Sequence, residues 1–204
     1  MQLVVGLGNP GPRYAATRHN IGFRIVEGFA ERHGIAISEE RFLGRFGRGP
    51  GPRSGATRLD VAVLEPQTFM NLAGDSVADA VQQLRLEDVA AELLVVFDDV
   101  DLPFGRLRVR PGGGAGGHRG LAHVIECLGR SDFPRLRFGV GRPPGLLETA
   151  DYVLQPFSPE EEVGVGARLV AAIDALDAAL AEGIGPAMNR VNRDPASEDE
   201  KPLQ

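Results

Sequence analysis

The apolar positions along the chain follow two rhythms. Leu3-Val4-Val5-Gly6-Leu7, Val61-Ala62-Val63-Leu64 and Leu93-Leu94-Val95-Val96-Phe97 are short, continuous and rich in β-branched residues. Apolar runs of that length, bounded by Gly, Pro or Asp, predict strands covered on both faces. They place strands at 2–7, at 59–65 (stopped by Pro66) and at 93–97. Arg106-Leu107-Arg108-Val109-Arg110 alternates with period two and predicts a half-exposed strand. Leu136–Gly141 predicts another. Between the strands the period changes to that of a helix. Ile21, Phe23, Ile25, Val26 and Phe29 mark a helix over 19–33, ended by Gly34. Ala73, Val77, Val81 and Leu84 mark one over 71–86, a third spans 118–128, and a long amphipathic pattern covers Pro159–Ala181. Two stretches keep neither rhythm. Residues 35–58 are full of Gly and Arg and predict short strands flanking a flexible loop at Gly47–Gly55. Residues 150–154 form a short element whose type the pattern leaves open.

Strands alternating with helices predict an α/β fold: one domain over residues 1–192, a twisted mixed β-sheet flanked by helices on both faces. The alternation at 106–110 is the reason to expect some antiparallel pairing. Residues 193–204 are polar and acidic and predict a disordered tail.

Composition narrows the class without choosing a function. A chain of 204 residues with 43% apolar and 25% charged residues is an ordinary globular size and mix. No apolar run is long enough to span a bilayer, and Met1-Gln2 leads straight into a strand with no signal-peptide pattern. Cytoplasmic location and no membrane partner are therefore expected. The single cysteine, Cys127, forms no intrachain disulfide and excludes a cysteine-cluster metal site.

The net charge of −6 argues against a polyanionic partner until its distribution is read. Residues 1–60 hold 9 Arg and 5 acids, and residues 101–150 hold 8 Arg and 4 acids. Residues 61–100 hold 1 basic and 8 acidic side chains, and residues 151–204 hold 4 and 11. Positive charge thus sits in two blocks, nearly all of it Arg, the side chain suited to bidentate phosphate contact.

The first strand runs into Gly8-Asn9-Pro10-Gly11 and on to Thr17-Arg18-His19-Asn20. Gly6-x-Gly8-x-x-Gly11 has the spacing of a dinucleotide fingerprint, but Pro10 and Pro12 flank the last glycine. The helical pattern also starts about seven residues too late for the helix N-terminus to meet a pyrophosphate. No nucleotide cofactor is expected. The glycines are read instead as turning the chain so that Asn9 and His19 face one crevice. Asp98 ends a buried strand, and Asn9 and Asn71 follow strand ends, so all could meet at the carboxyl edge of the sheet. A histidine held by an aspartate is a general base. With no Gly-x-Ser-x-Gly elbow, the nucleophile would be water, and side-chain amides could stabilise the oxyanion. The run Gly112-Gly113-Gly114-Ala115-Gly116-Gly117-His118-Arg119 reads either as a plain surface loop or as a phosphate cradle before a helix. Arg108, Arg110, Arg130, Arg135, Arg137 and Arg142 nearby favour phosphate and backbone contacts to a nucleic acid.

These motifs together resemble the bacterial peptidyl-tRNA hydrolase family. The matches run in order: Val5-Gly6-Leu7-Gly8-Asn9-Pro10-Gly11, Tyr14 with Thr17-Arg18-His19-Asn20-Ile21-Gly22, Pro66 with Thr68-Phe69-Met70-Asn71-Leu72 and Gly74. They continue with Asp98 and Asp101-Leu102-Pro103, the 112–120 loop, Leu136-Arg137 with Gly139 and Gly141-Arg142-Pro143, Asp151-Tyr152-Val153-Leu154 and Ala187-Met188-Asn189-Arg190.

The resemblance implies hydrolysis of the ester between a peptide and the 3′ ribose of tRNA, recycling tRNA from aborted translation. No metal and no cofactor take part, and the enzyme is expected to be a monomer. It implies that His19 activates water, Asp98 holds His19, Asn9 selects peptidyl ends and Asn71 positions the carbonyl or the water. Tyr14 and Phe69 would line the acceptor-end site, and Arg110 and Arg137 would meet tRNA phosphates. The glycine loop ends His118-Arg119-Gly120 where the family has His-Asn-Gly. Arg119 cannot accept a hydrogen bond as Asn does, but it can pair with phosphate or stack on a base. The alternative reading is a relative that binds RNA without hydrolysing it. Turnover of purified peptidyl-tRNA separates the two.

Overall fold

The computed structural model describes residues 1–193. The expected acidic tail falls almost wholly outside them. Seven strands form one sheet: β1 (Gln2–Gly6), β2 (Glu39–Arg41), β3 (Gly44–Ser54), β4 (Thr57–Pro66), β5 (Leu93–Asp99), β6 (Leu107–Arg110) and β7 (Arg135–Gly139). Their order is β2-β3-β4-β1-β5-β7-β6. The four inner strands β4, β1, β5 and β7 are parallel, and β2, β3 and β6 pair antiparallel at the edges. The sheet is mixed, as the pattern predicts.

The helices are α1 (Ile21–His33), α2 (Ala73–Gln83), α3 (Val89–Glu92), α4 (Arg119–Leu128), α5 (Thr149–Val153), α6 (Pro159–Ala181) and α7 (Ile184–Val191). They cover both faces. Val4, Val63, Leu94, Val96 and Leu136 pack with α1, α6 and α7. Leu3, Val5, Leu7, Leu64, Val95 and Phe97 pack with α2 and α4. Successive residues of β1 thus enter opposite cores, and so the strand is apolar throughout. Local chemistry sets the helix ends. Gly34 closes α1 in the left-handed conformation (φ 69°), its N–H reaching the carbonyls of Ala30 and Glu31. Ser158 and Glu161 cap α6 reciprocally, with Pro159 in the first turn. No helix among the described residues is long and apolar enough to cross a membrane.

The predicted flexible loop at Gly47–Gly55 is a correction. Residues 44–54 are one long strand paired along β4, with a register shift between Pro50 and Arg53. The glycines there make room for packing. A Cβ on Gly47 would lie 2.3 Å from the Ala36 carbonyl oxygen, and one on Gly49 would lie 3.1 Å from Ile35. The chain turns only at the end of the strand, where Gly55 has φ 59°. The amphipathic reading of 71–86 contracts to α2, preceded by a 3-10 turn at Met70–Leu72.

The first-strand glycines need a similar correction. A Cβ on Gly6 would meet the Gly22 carbonyl oxygen at 2.5 Å, and one on Gly22 would meet the Leu7 carbonyl oxygen at 2.4 Å. A Cβ on Gly8 would press on the Phe23 ring at 2.8 Å. These glycines let α1 cross β1 at backbone contact. Only Gly11 of the set, with φ 94°, supplies a turn that an L side chain resists.

Candidate active site

Strands β1 and β5 are parallel neighbours, with Gly6 opposite Val96, so the loop leaving β1 and the end of β5 emerge at the same edge. The chain departs to β4 on one side of β1 and to β5 on the other, which leaves a crevice at the carboxyl ends. The loop over that crevice is held at several points. Asn20 accepts the Asn9 N–H through Oδ1 at 2.9 Å and donates from Nδ2 to the Asn9 carbonyl at 2.9 Å. Thr17 Oγ1 donates to the Tyr14 carbonyl at 2.8 Å. The Arg18 guanidinium donates to the Pro156 carbonyl and pairs with Glu161 at 2.6 Å, lying 4.2 Å from the centre of the Tyr152 ring. Arg18 is therefore an anchor that ties the loop to the start of α6.

The anchored loop delivers His19 to Asp98. His19 Nδ1 lies 2.7 Å from Asp98 Oδ1. His118 Nε2 reaches the same oxygen at 3.1 Å, and the two imidazole centres are 4.9 Å apart. His118 caps α4: its Nδ1 accepts the Leu121 N–H at 3.0 Å, so its proton sits on Nε2 and donates to Asp98. Asp98 is buried, and burial alone would raise its carboxyl. The positive charge that His19 and His118 carry when protonated, together with their hydrogen bonds, outweighs burial and holds the carboxyl well below the usual carboxylate range. An ionised Asp98 keeps the His19 proton on Nδ1. His19 Nε2 is then the lone-pair nitrogen of the neutral ring, with no side-chain or backbone partner among the described residues.

A cavity of about 560 Å³ opens on this pair, lined by Asn9, His19, Phe69, Asn71, Asp98, His118, Arg119 and Arg137 among others. Asn9 Oδ1 accepts the Met70 N–H at 2.8 Å, which fixes the amide and leaves its NH2 group for the cavity. Asn71 rides on the turn before α2, and Phe69 is more than half exposed at the mouth. Arg119 is exposed at the start of α4 and pairs with no carboxylate among the described residues. Ala150, Val153 and Leu154 form an apolar wall from α5 that sequence reasoning missed, because five residues are too few to show a period.

Two candidates lie outside the cavity lining. Tyr14 sits in the loop beside Arg13, and Arg110 lies on edge strand β6. The other arginines separate by role. Arg135 is buried and donates to the carbonyls of Gly113, Gly114, Ser131 and Phe133, which props the glycine loop. Burial, with Arg137 beside it, pushes its guanidinium down to about 10. Arg130 pairs with Asp132, Arg142 with Asp101 and Arg137 with Asp99. Arg135 is thus not a phosphate ligand. Arg108 and Arg110 stand opposite Arg137 and Arg135 in the β6–β7 register, so all four side chains share one face. Burial and the charges of Arg110, Arg137 and Arg106 lower the Arg108 guanidinium, the mark of crowded positive charge next to the cavity.

The family model for peptidyl-tRNA hydrolase matches residues 3–200. The chain belongs to the peptidyl-tRNA hydrolase family. It is 50% identical over 194 residues to the peptidyl-tRNA hydrolase of Chloroflexus aggregans, covering 94% of this chain and 99% of that one. It is 50% identical over 191 residues to that of Symbiobacterium thermophilum, covering 94% and 98%. The crystal structure of the Acinetobacter baumannii peptidyl-tRNA hydrolase superposes with a TM-score of 0.83 at 34% identity, covering 94% of each chain. The fold found here, a single mixed sheet with helices on both faces, is thus shared with a solved peptidyl-tRNA hydrolase structure.

Proposed function

We propose that the chain hydrolyses the ester between peptide and tRNA in peptidyl-tRNA, with His19 as the general base on water. The observation that carries this reading is the 2.7 Å contact from His19 Nδ1 to the buried Asp98, which directs the other ring nitrogen to its basic form. His19 Nε2 removes a proton from water as the oxygen attacks the ester carbonyl carbon. The tetrahedral oxyanion takes hydrogen bonds from the side-chain amides of Asn9 and Asn71. The imidazolium, stabilised by Asp98, returns its proton to the departing 3′ oxygen of ribose. Peptide acid and free tRNA leave.

The substrate divides along the cavity. Phe69, Arg119 and Arg137 receive the nucleotide end, and the α5 wall receives the peptide. Acceptor-stem phosphates continue onto Arg110 and Arg108, with Tyr14 at the rim. With this reading goes a cytoplasmic enzyme that works as a monomer. A relative that only binds RNA would not need the His19–Asp98–His118 arrangement, and that reading is not favoured.

The test is single-turnover hydrolysis of purified peptidyl-tRNA by His19→Ala. We expect roughly 10²–10⁴-fold slower cleavage with tRNA binding retained, and a rate near that of the parent would overturn the assignment. Arg110→Glu should raise KM several-fold at low salt and lose its effect as salt rises. An unchanged KM at low salt would remove the β6 face from the binding surface.

A further inference from the structure

Away from the cavity, α2 and α4 bring together Asp75, His123 and Cys127. His123 and Cys127 are four residues apart and share one face of α4. Asp75 comes from α2, where Gly74 lets the helices touch. A Cβ on Gly74 would lie 2.3 Å from the His123 carbonyl oxygen and 2.8 Å from Cys127 Sγ. Cys127 Sγ lies 3.8 Å from Asp75 Oδ1 and 3.6 Å from His123 Nε2, and all three ligand atoms lie within 4.8 Å of one another. Around a tetrahedral ion with bonds of about 2.3 Å to sulfur and 2.0–2.1 Å to nitrogen and oxygen, neighbouring ligand atoms are about 3.4–3.6 Å apart. The two separations from Cys127 Sγ thus come close to two edges of such a site, and the third pair, within 4.8 Å, closes onto an ion by a small side-chain rotation of Asp75.

Thiolate, imidazole and carboxylate together suit a borderline-soft divalent ion and not the hard, all-oxygen ions. Asp75 and Cys127 are exposed, which gives an ion a path from solvent. No Arg pairs with Asp75 among the described residues, so nothing already neutralises it. We propose that Asp75, His123 and Cys127 form a surface site for an ion of the Zn²⁺ class, with water as the fourth ligand. Binding exchanges the Cys127 S–H bond for an S–metal bond and releases one proton per ion. His123 Nδ1 accepts the Gly74 N–H at 3.0 Å, so its proton sits on Nε2. Ligation through Nε2 moves that proton to Nδ1 and gives up this one hydrogen bond. The bound ion ties α2 to α4, the two helices whose N-terminal ends carry Asn71 and Arg119 to the cavity.

The test uses the full chain, reduced and stripped of metal, titrated with Co²⁺ and then with Zn²⁺. We expect one ion per chain, a thiolate-to-cobalt charge-transfer band and one proton released. Binding should weaken at least tenfold in Cys127→Ser and in Asp75→Asn. Cys127 is the only cysteine, so its alkylation reads the site without any substitution, and saturating Zn²⁺ should slow it at least tenfold. Cobalt bound without the thiolate band, alkylation indifferent to Zn²⁺, or undiminished affinity in Cys127→Ser would each overturn the site.

Discussion

Asp98 and Glu65 occupy matching places and behave in opposite ways. Each is a carboxylate at the carboxyl end of a sheet strand, β5 and β4, and each side chain is 2% exposed or less. Burial drives both carboxyl groups upward. At Asp98 two imidazoles converge on one oxygen, and the group stays ionised. At Glu65 a single half-exposed Arg45 reaches one oxygen at 2.9 Å, and Oε1 has no partner among the described residues. Desolvation, with the charge of Glu27 added, wins there and pushes the carboxyl up to about 7. Burial sets the scale of a shift, and the number and burial of the partners set its sign. The difference separates a carboxylate that can orient a base from one that only ends a strand.

Asp98→Asn should break the comparison most severely. The amide lacks the charge that stabilises an imidazolium, and it can offer its NH2 to His19 and favour the wrong tautomer. Turnover of peptidyl-tRNA should fall by roughly 10⁴-fold, the scale of such a change beside a catalytic imidazole, with KM little altered. A loss below tenfold would mean that Asp98 does not control His19.

The sequence carried much of this, for identifiable reasons. Asp98 stands out because it ends a continuous apolar run, and His19 because it follows a strand and a turn. The part of His118 in holding Asp98 is invisible at a separation of 20 residues, since it depends on α4 starting beside β5. Arg135 and Arg110 have the same residue type and cross-strand register, yet one is buried under carbonyls and the other is half-buried and pairs with no carboxylate among the described residues. Spacing cannot distinguish them. The glycines of β3 misled for a related reason: glycine makes room for a close approach as readily as it makes a turn, and only the neighbouring backbone shows which. The Asp75–His123–Cys127 cluster was hidden likewise, because a lone cysteine in sequence gains its partners only from helix packing.

Glu65→Gln tests the other carboxyl. A folded value of about 7 against an ordinary 4.5 means that the folded chain keeps a proton the unfolded chain has lost between those pH values. Stability from this group is full below about pH 4.5 and is lost as pH rises to about 7, by about 3 kcal/mol in total at 1.36 kcal/mol per pH unit. The glutamine stays neutral and can still accept from Arg45. Its Tm advantage over the parent should therefore grow with pH across that window and level off above it. A Tm difference that stays flat across that window would mean that Glu65 is charged in the fold there, as Asp98 is.

Glu27→Gln is the finest probe of the pair. Glu27 is half exposed on α1, and Arg45 Nη1 contacts both it (3.3 Å) and Glu65. Removing its charge should lower the Glu65 titration and free Arg45 for a single partner. The gain is a few tenths of a kcal/mol, the scale of exposed charge pairs, and appears as a downward shift of the Glu65 carboxyl titration followed by NMR. An unmoved titration would assign the whole upward shift to burial. The contrast with Asp98 would then rest solely on how many donors each carboxylate has.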